Sequence, residues 1–191
     1  VMKNKDITIL VDMDDTIEDL LGAWCKWLNE VYDTKVNPSD IKDWDISKSF
    51  PMLSKKEVFE PLKYSTFWKS VKPKEDAVEY LNKLFELGFE IYLVTSTHYE
   101  NIEDKYFFIV QRYFPFINWD HMIIAANKSM IKGDFLIDDA VHNLGKGDFQ
   151  SILMTAPHNK DFPAERHNMI RADNWEQIYN LIVSYAREKT K

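Results

Sequence analysis

Apolar positions along this chain fall into two rhythms. Five short, nearly unbroken runs come first: Ile7–Val11, then residues 90–97 (EIYLVTST), 121–128 (HMIIAANK), 134–140 (DFLIDDA) and 151–157 (SILMTAP). Runs of this length without polar alternation predict strands buried on both faces. Between them the spacing becomes helical. Residues 73–88 put Ala77, Leu81, Leu84 and Phe85 on one face and stop at Gly88, a C-terminal signal. Residues 101–114 carry Ile102, Tyr106, Ile109, Val110 and Tyr113, and residues 174–189 carry Trp175, Ile178, Ile182 and Tyr185. The basic end of the last stretch suits a helix dipole. Strands alternating with helices predict an α/β fold: a Rossmann-like parallel sheet sandwiched by helices.

One stretch breaks the alternation. Residues 17 to 70 hold no buried-strand run. Residues 17–32 predict an amphipathic helix with Leu20, Trp24, Leu28 and Val31 on its stripe. Residues 54–63 open on Ser54 and Glu57, a capping-box pattern. The expected organisation is therefore an α/β core of residues 1–16 and 71–191, with a small, mainly helical insertion at 17–70. The insertion concentrates aromatics: Trp24, Trp27, Trp44, Phe50, Phe59, Phe67 and Trp68.

Composition narrows the partners. The chain is 45% hydrophobic and 29% charged, with a formal net charge of -7. That acidity argues against wrapping polymeric nucleic acid, which needs a basic surface. A small phosphorylated ligand stays open, because a bound cation can supply positive charge. A single cysteine, Cys25, allows no internal disulfide and reads as a packing residue. No apolar run approaches the ~20 residues that span a bilayer, and the first run ends in acids, unlike a signal peptide. The expectation is a cytoplasmic protein with no membrane partner. His98 and His121 lack a second ligand at metal spacing; His142 and His158 read as loop residues.

The chemistry gathers where strands end. Ile7–Val11 runs into Asp12, Asp14 and Asp15 within four residues. The second run ends in Thr95 and Ser96, the third in Lys128, the fourth in Asp138 and Asp139. In an open parallel sheet these all lie at the carboxyl edge, where ligands bind. Asp12 and Asp14 are two apart, so in extended backbone they point to one side. Carboxylates crowded this way would be driven to protonate unless a cation offsets them. A hard divalent ion with oxygen ligands, Mg²⁺ above all, fits the set together with Lys128.

The order of these residues, DxDxT, then Thr/Ser, then Lys, then an acidic pair, resembles the haloacid dehalogenase superfamily of phosphotransferases. With FW at 67–68, LVTST, NK at 127–128, FLIDDA, LMTAPHN and ADNW at 172–175, it is similar to 5'(3')-deoxyribonucleotidases. The resemblance covers most of the chain and implies a mobile cap at 17–70. It implies Asp12 as nucleophile forming an aspartyl-phosphate, Asp14 as general acid and then base, and Thr95 with Ser96 on phosphate oxygens. Lys128 would neutralise the transferring phosphoryl group. Mg²⁺ would be held by Asp12, the Asp14 carbonyl and Asp139, with Asp138 its outer-shell neighbour. Leu20, Trp44, Phe67 and Trp68 are the candidates to contact the leaving group, a deoxynucleoside. Two positions depart from the pattern the resemblance implies: Leu20 stands where the family has a phenylalanine, and Asp15 where human-type members carry glycine. Two alternatives stay open: a phosphatase for another small phosphate ester, and a receiver-like module phosphorylated on aspartate. A homodimer is compatible with all of these readings.

Overall fold

A computed structural model describes residues 3–189. Six parallel strands form one sheet: β1 Thr8–Val11, β2 Glu90–Thr95, β3 Met122–Ile124, β4 Lys132–Asp138, β5 Asp148–Met154 and β6 Met169–Ala172, in the order β3-β2-β1-β4-β5-β6. The five expected strands are all present. The sixth, β6, escaped sequence reading because MIRA alternates at an edge and is only four residues long. Ile9, Leu10 and Val11 of β1 and Phe135, Leu136 and Ile137 of β4 are buried, as unbroken apolar runs require when both faces are covered.

The helices are α1 Leu20–Tyr32, α2 Lys55–Phe59, α3 Ser65–Ser70, α4 Ala77–Glu86, α5 Ile102–Lys105, α6 Gln111–Tyr113 and α7 Trp175–Lys189. A π-helical turn, Tyr106–Val110, joins α5 to α6. One face of the sheet packs its Ile9, Val11, Phe135 and Ile137 against α4, the 102–113 segment and α7. The opposite face, from Leu10, Val94, Leu136 and Leu153, packs on Leu144, Ala164 and Met169. Its cover comes from 3-10 turns, because the links from β3 through β6 are too short for long helices. Gly88 ends α4 at φ +85°, a conformation only glycine adopts freely.

The predicted helical stripes are buried at Leu20, Trp24 and Leu28, at Ala77, Leu81 and Leu84, and at Trp175, Ile178 and Ile182. Val31 and Phe85, at the margins of their stripes, are exposed. Between β1 and α4 the chain forms helices and irregular segments, with isolated β-bridges joining Asp14 to Glu18 and Glu18 to Pro73. The capping box is formed: the Ser54 hydroxyl accepts from the Glu57 N–H, and the Glu57 carboxylate accepts from the Ser54 N–H. The helix it starts is shorter than the pattern suggested, passing into a 3-10 turn at Glu60–Lys63 that contains Pro61.

Candidate active site

The strand order reverses between β1 and β4, and such a reversal leaves a crevice at the carboxyl edge. Asp12 follows β1 and extends the ladder, its N–H donating to the Ile137 carbonyl at 2.9 Å. This brings it beside Asp138 and Asp139 at the end of β4. Lys128, at the start of the 3-10 turn Lys128–Met130, donates to Asp12 and to Asp138, the latter at 2.7 Å. All four side chains are buried. One oxygen from each of Asp12, Asp138 and Asp139 lies within 4.8 Å of the others.

One lysine cannot balance three buried carboxylates. Burial, with the charge of Asp138 beside it, pushes the Asp12 carboxyl up to about 8 against the pull of Lys128. Burial raises Asp139 well above the ordinary carboxylate range, with Asp15 and Asp12 adding to it. Lys128 is itself held above its usual value: burial opposes this, and Asp12 and Asp138 outweigh it. A compact, buried, oxygen-only donor set carrying excess negative charge is what a hard divalent cation requires.

The two members of the acidic pair differ. Both Asp138 oxygens are engaged, Oδ2 by Lys128 and by Asn143 at 3.0 Å, Oδ1 by the Ala140 N–H at 2.8 Å. Among the described residues the Asp139 carboxylate meets His158, 3.3 Å away. Its backbone carbonyl accepts from the Asn159 amide at 2.8 Å and faces His158 Nε2 at 3.2 Å. Arg171 on β6 in turn reaches Asn159 Oδ1 at 3.3 Å, its carbonyl at 3.1 Å and the Phe162 carbonyl at 2.6 Å. His158 is thus no idle loop residue. Its loop position was legible in LMTAPHN, but its partner was not.

Asp14 stands on the other side of Asp12 and lines the cavity. It forms an ion pair with Lys105, a buried lysine that sequence reading missed. Burial alone would raise Asp14, but Lys105 turns the net shift downward. No motif announces Lys105; its only local mark is a charge on the face of a helix otherwise apolar there. Asp15 takes φ +56°, tolerated by aspartate where glycine is common, and its carboxylate accepts from the Leu21 N–H at 2.9 Å. Asp19 caps α1 through the Gly22 N–H at 3.2 Å. Thr16 donates weakly to Asp12 at 3.4 Å, and its carbonyl accepts from the Trp175 indole at 3.0 Å.

Thr95, at the end of β2, is buried with no partner for its hydroxyl, an orphan that calls for a ligand atom. Ser96 lines the cavity beside it. The cavity, about 470 Å³, has an acidic floor of Asp12, Asp14 and Asp139. Its apolar wall comes from the insertion: Leu20, Trp24, Ile41, Phe59, Leu62 and Trp68. Leu20, Trp44 and Trp68 are brought to this cavity; Phe67 is not. It is buried, edge-on to Trp68 at 5.4 Å, and packs in the core. Trp44 is 63% exposed and meets His142 edge-on, 4.9 Å between ring centres.

Comparison with known proteins bears on this geometry. Residues 5–189 match the family described as 5' nucleotidase, deoxy (pyrimidine), cytosolic type C protein. The chain belongs to this family. It is a phosphoric monoester hydrolase of the haloacid dehalogenase superfamily. A 5'(3')-deoxyribonucleotidase from Clostridium acetobutylicum is 36% identical over 177 residues, 93% of this chain and 95% of the relative. One from Bacillus subtilis is 33% identical over 172 residues, 89% and 95% of the two chains. Among solved structures, a haloacid dehalogenase family hydrolase from Deinococcus radiodurans with bound phosphate and sodium has a TM-score of 0.64 at 13% identity, covering 90% of this chain and 92% of that one. A haloacid dehalogenase-like protein from Streptococcus pneumoniae gives 0.58 at 13%, covering 92% and 97%. Such distant likenesses speak for the fold alone. Leu20 and Asp15, the two positions expected from sequence to depart from the family pattern, both line the cavity. No helix among the described residues is long and apolar enough to cross a membrane.

Proposed function

We propose that the chain hydrolyses deoxyribonucleoside 5'(3')-monophosphates through an aspartyl-phosphate on Asp12, with Mg²⁺ as cofactor. The observation that carries this is the joining of two unlike halves in one cavity. An acidic, cation-demanding floor lies under an apolar wall of a size to take a nucleoside. The names of the relatives support the substrate class.

Asp12, the Asp14 carbonyl and Asp139 would hold the cation, and Asp138, already committed to Lys128 and Asn143, would steady them. When bound, Mg²⁺ lets anionic carboxylate and anionic phosphate approach. The Asp12 carboxylate attacks phosphorus in line, which splits the hydrolysis into two easier steps. Asp14 gives a proton to the departing alkoxide and takes one from the attacking water. Thr95 and Ser96 orient phosphate oxygens, and Lys128 offsets charge on the transferring group. The insertion at residues 17–70 serves as a cap. Trp44 offers the base a flat face, where stacking contributes ~1–3 kcal/mol per base, and the buried Trp68, with Lys105 over its ring, backs the apolar wall.

Phosphate release is to be measured with Mg²⁺ and then with EDTA, over 5' and 3' deoxy- and ribonucleoside monophosphates, sugar phosphates and p-nitrophenyl phosphate. Mg²⁺-dependent turnover favouring deoxynucleotides is expected. Turnover confined to sugar phosphates would overturn the substrate and leave the chemistry standing. Trp44→Ala should weaken kcat/KM for nucleotides and leave p-nitrophenyl phosphate unchanged; equal loss on both would remove Trp44 from substrate contact.

A further inference from the structure

Lys105 has no role in the chemistry just described, yet it is only 1% exposed and its ammonium has three neighbours. It pairs with Asp14 Oδ1. It lies 3.5 Å from Glu18 Oε1. It sits over the Trp68 ring, 5.2 Å from its centre. Lys105 is also the last residue before the π-helical turn Tyr106–Val110, and such turns cluster at functional sites.

Glu18 is equally unusual. It is completely buried; burial lifts its carboxyl well above the ordinary range, and its side chain hydrogen-bonds Asp14. It belongs to a short two-stranded hinge where the chain leaves the core and returns. The Asp19 N–H donates to the Lys72 carbonyl at 2.8 Å, and the Lys74 N–H to the Ile17 carbonyl at 2.8 Å. Glu18 bridges Asp14 on one side and Pro73 on the other. A buried carboxyl group is costly, and Lys105 is the cation placed beside it. A lysine needed only for that would not have to grip Asp14 as well. Its ammonium ties together the hinge, a cap aromatic and the residue assigned as proton donor.

We propose that Lys105 is a positioning residue: braced by Glu18 in the hinge, it fixes the Asp14 carboxyl where it meets the ester oxygen of the leaving alcohol. The inference rests on the function proposed above. In the first half-reaction a bond forms from an Asp12 oxygen to phosphorus and the phosphorus–ester oxygen bond breaks. The electron pair stays on the leaving oxygen, which takes a proton from Asp14; Lys105 holds Asp14 ionised, and the charge of an incoming phosphate favours its protonation. In the second, water attacks phosphorus, Asp14 takes its proton, and the Asp12–phosphorus bond breaks to release phosphate. An alkoxide leaves poorly without that proton; a nitrophenolate leaves without it. Misplacing Asp14 therefore penalises one ester and spares the other.

Lys105→Met alone leaves Glu18 fully buried with no cation beside it and the half-exposed Asp14 unpaired, and the chain then risks unfolding. The decisive variant is Lys105→Met with Glu18→Gln, compared with Glu18→Gln alone. Melting temperature and kcat/KM with Mg²⁺ are measured for deoxythymidine 5'-monophosphate and p-nitrophenyl phosphate. The double variant should melt close to wild type, lose at least about tenfold on the nucleotide and keep p-nitrophenyl phosphate within about threefold of wild type. Glu18→Gln alone, which leaves Lys105 on Asp14, should fall between wild type and the double variant on the nucleotide and keep p-nitrophenyl phosphate. Wild-type rates on both esters in the double variant would show that Lys105 only neutralises Glu18. Equal loss on both would show general damage. Either overturns the proposal. Asp14→Asn run in parallel separates the two levels. If it divides the esters and the double variant does not, only the role of Lys105 falls. If it divides nothing, the proton-donor reading of Asp14 falls first.

Discussion

Two buried lysines each hold a carboxylate cluster in this molecule, the first wholly buried and the second with its Asp14 half-exposed, and they differ in charge balance. Lys128 faces Asp12 and Asp138, with Asp139 close by. Lys105 faces Asp14 and Glu18. In the first cluster burial and mutual repulsion win, and Asp12 and Asp139 are pushed upward. In the second the lysine wins at Asp14, which is held below the ordinary carboxylate value, while burial still lifts Glu18. The contrast shows why the first cluster needs a cation from outside. A carboxylate can be buried when one ammonium serves it closely, but a third carboxylate on the same ammonium has no partner left. The two clusters meet across Met13, so one strand-end loop presents a cation-demanding carboxylate and an ammonium-held one two residues apart.

The sharpest way to break this comparison is to remove one charge from each cluster in turn. Asp12→Asn should reduce phosphate release by at least about 10³-fold, since a group acting as nucleophile has no substitute. Its metal-free melting temperature should rise or hold, because a repelling buried charge is gone. Asp14→Asn should instead lower the melting temperature, as it removes a carboxylate that Lys105 stabilises. Calorimetric or circular-dichroism melting of both variants checks the signs. Two shifts in the same direction would mean that the clusters do not differ as described.

A smaller effect is expected from the groups behind Asp139. Asn159→Leu removes the amide that holds the Asp139 and Met154 carbonyls, both at 2.8 Å. Loss of such an outer partner typically weakens metal affinity about 10- to 100-fold. Titration calorimetry with Mg²⁺ measures it directly; unchanged affinity would assign Asn159 to loop folding only.

The smallest effect is a pH dependence. Asp12 has an ordinary value of 3.8 and a native value of about 8 without a cation. A carboxyl raised on folding leaves stability intact below about pH 4 and subtracts from it as pH rises towards about 8. Asp139 works in the same direction. The metal-free protein should therefore melt lower as pH rises through that window. The increase in melting temperature on adding Mg²⁺ should grow across it. A constant Mg²⁺ increment from pH 4 to 8 (~4 to ~8 on the scale just used) would place cation binding elsewhere.

Much of this protein was settled locally, in residue order alone. Unbroken apolar runs such as Ile7–Val11 can satisfy burial on both faces only inside a covered parallel sheet, and acids directly after such runs must emerge at its carboxyl edge. Asp12, Asp14, Thr95, Lys128 and Asp138 with Asp139 were legible for that reason. So were the Ser54–Glu57 capping box and the stop at Gly88, each set by a few neighbouring residues. What depended on distant packing was decided only by the tertiary structure. Trp68 and Phe67 are adjacent aromatics of similar apolar weight, yet only one lines the cavity. Which one does so follows from how α3 meets its neighbours, and no local rule carries that. The same holds for His158 on Asp139, for β6 at the sheet edge, and for Lys105 reaching Asp14 from 91 positions away in the chain. Local pattern determines which residues must be buried or brought to a strand end; which buried charges then meet is determined by chain crossings that bring remote segments together.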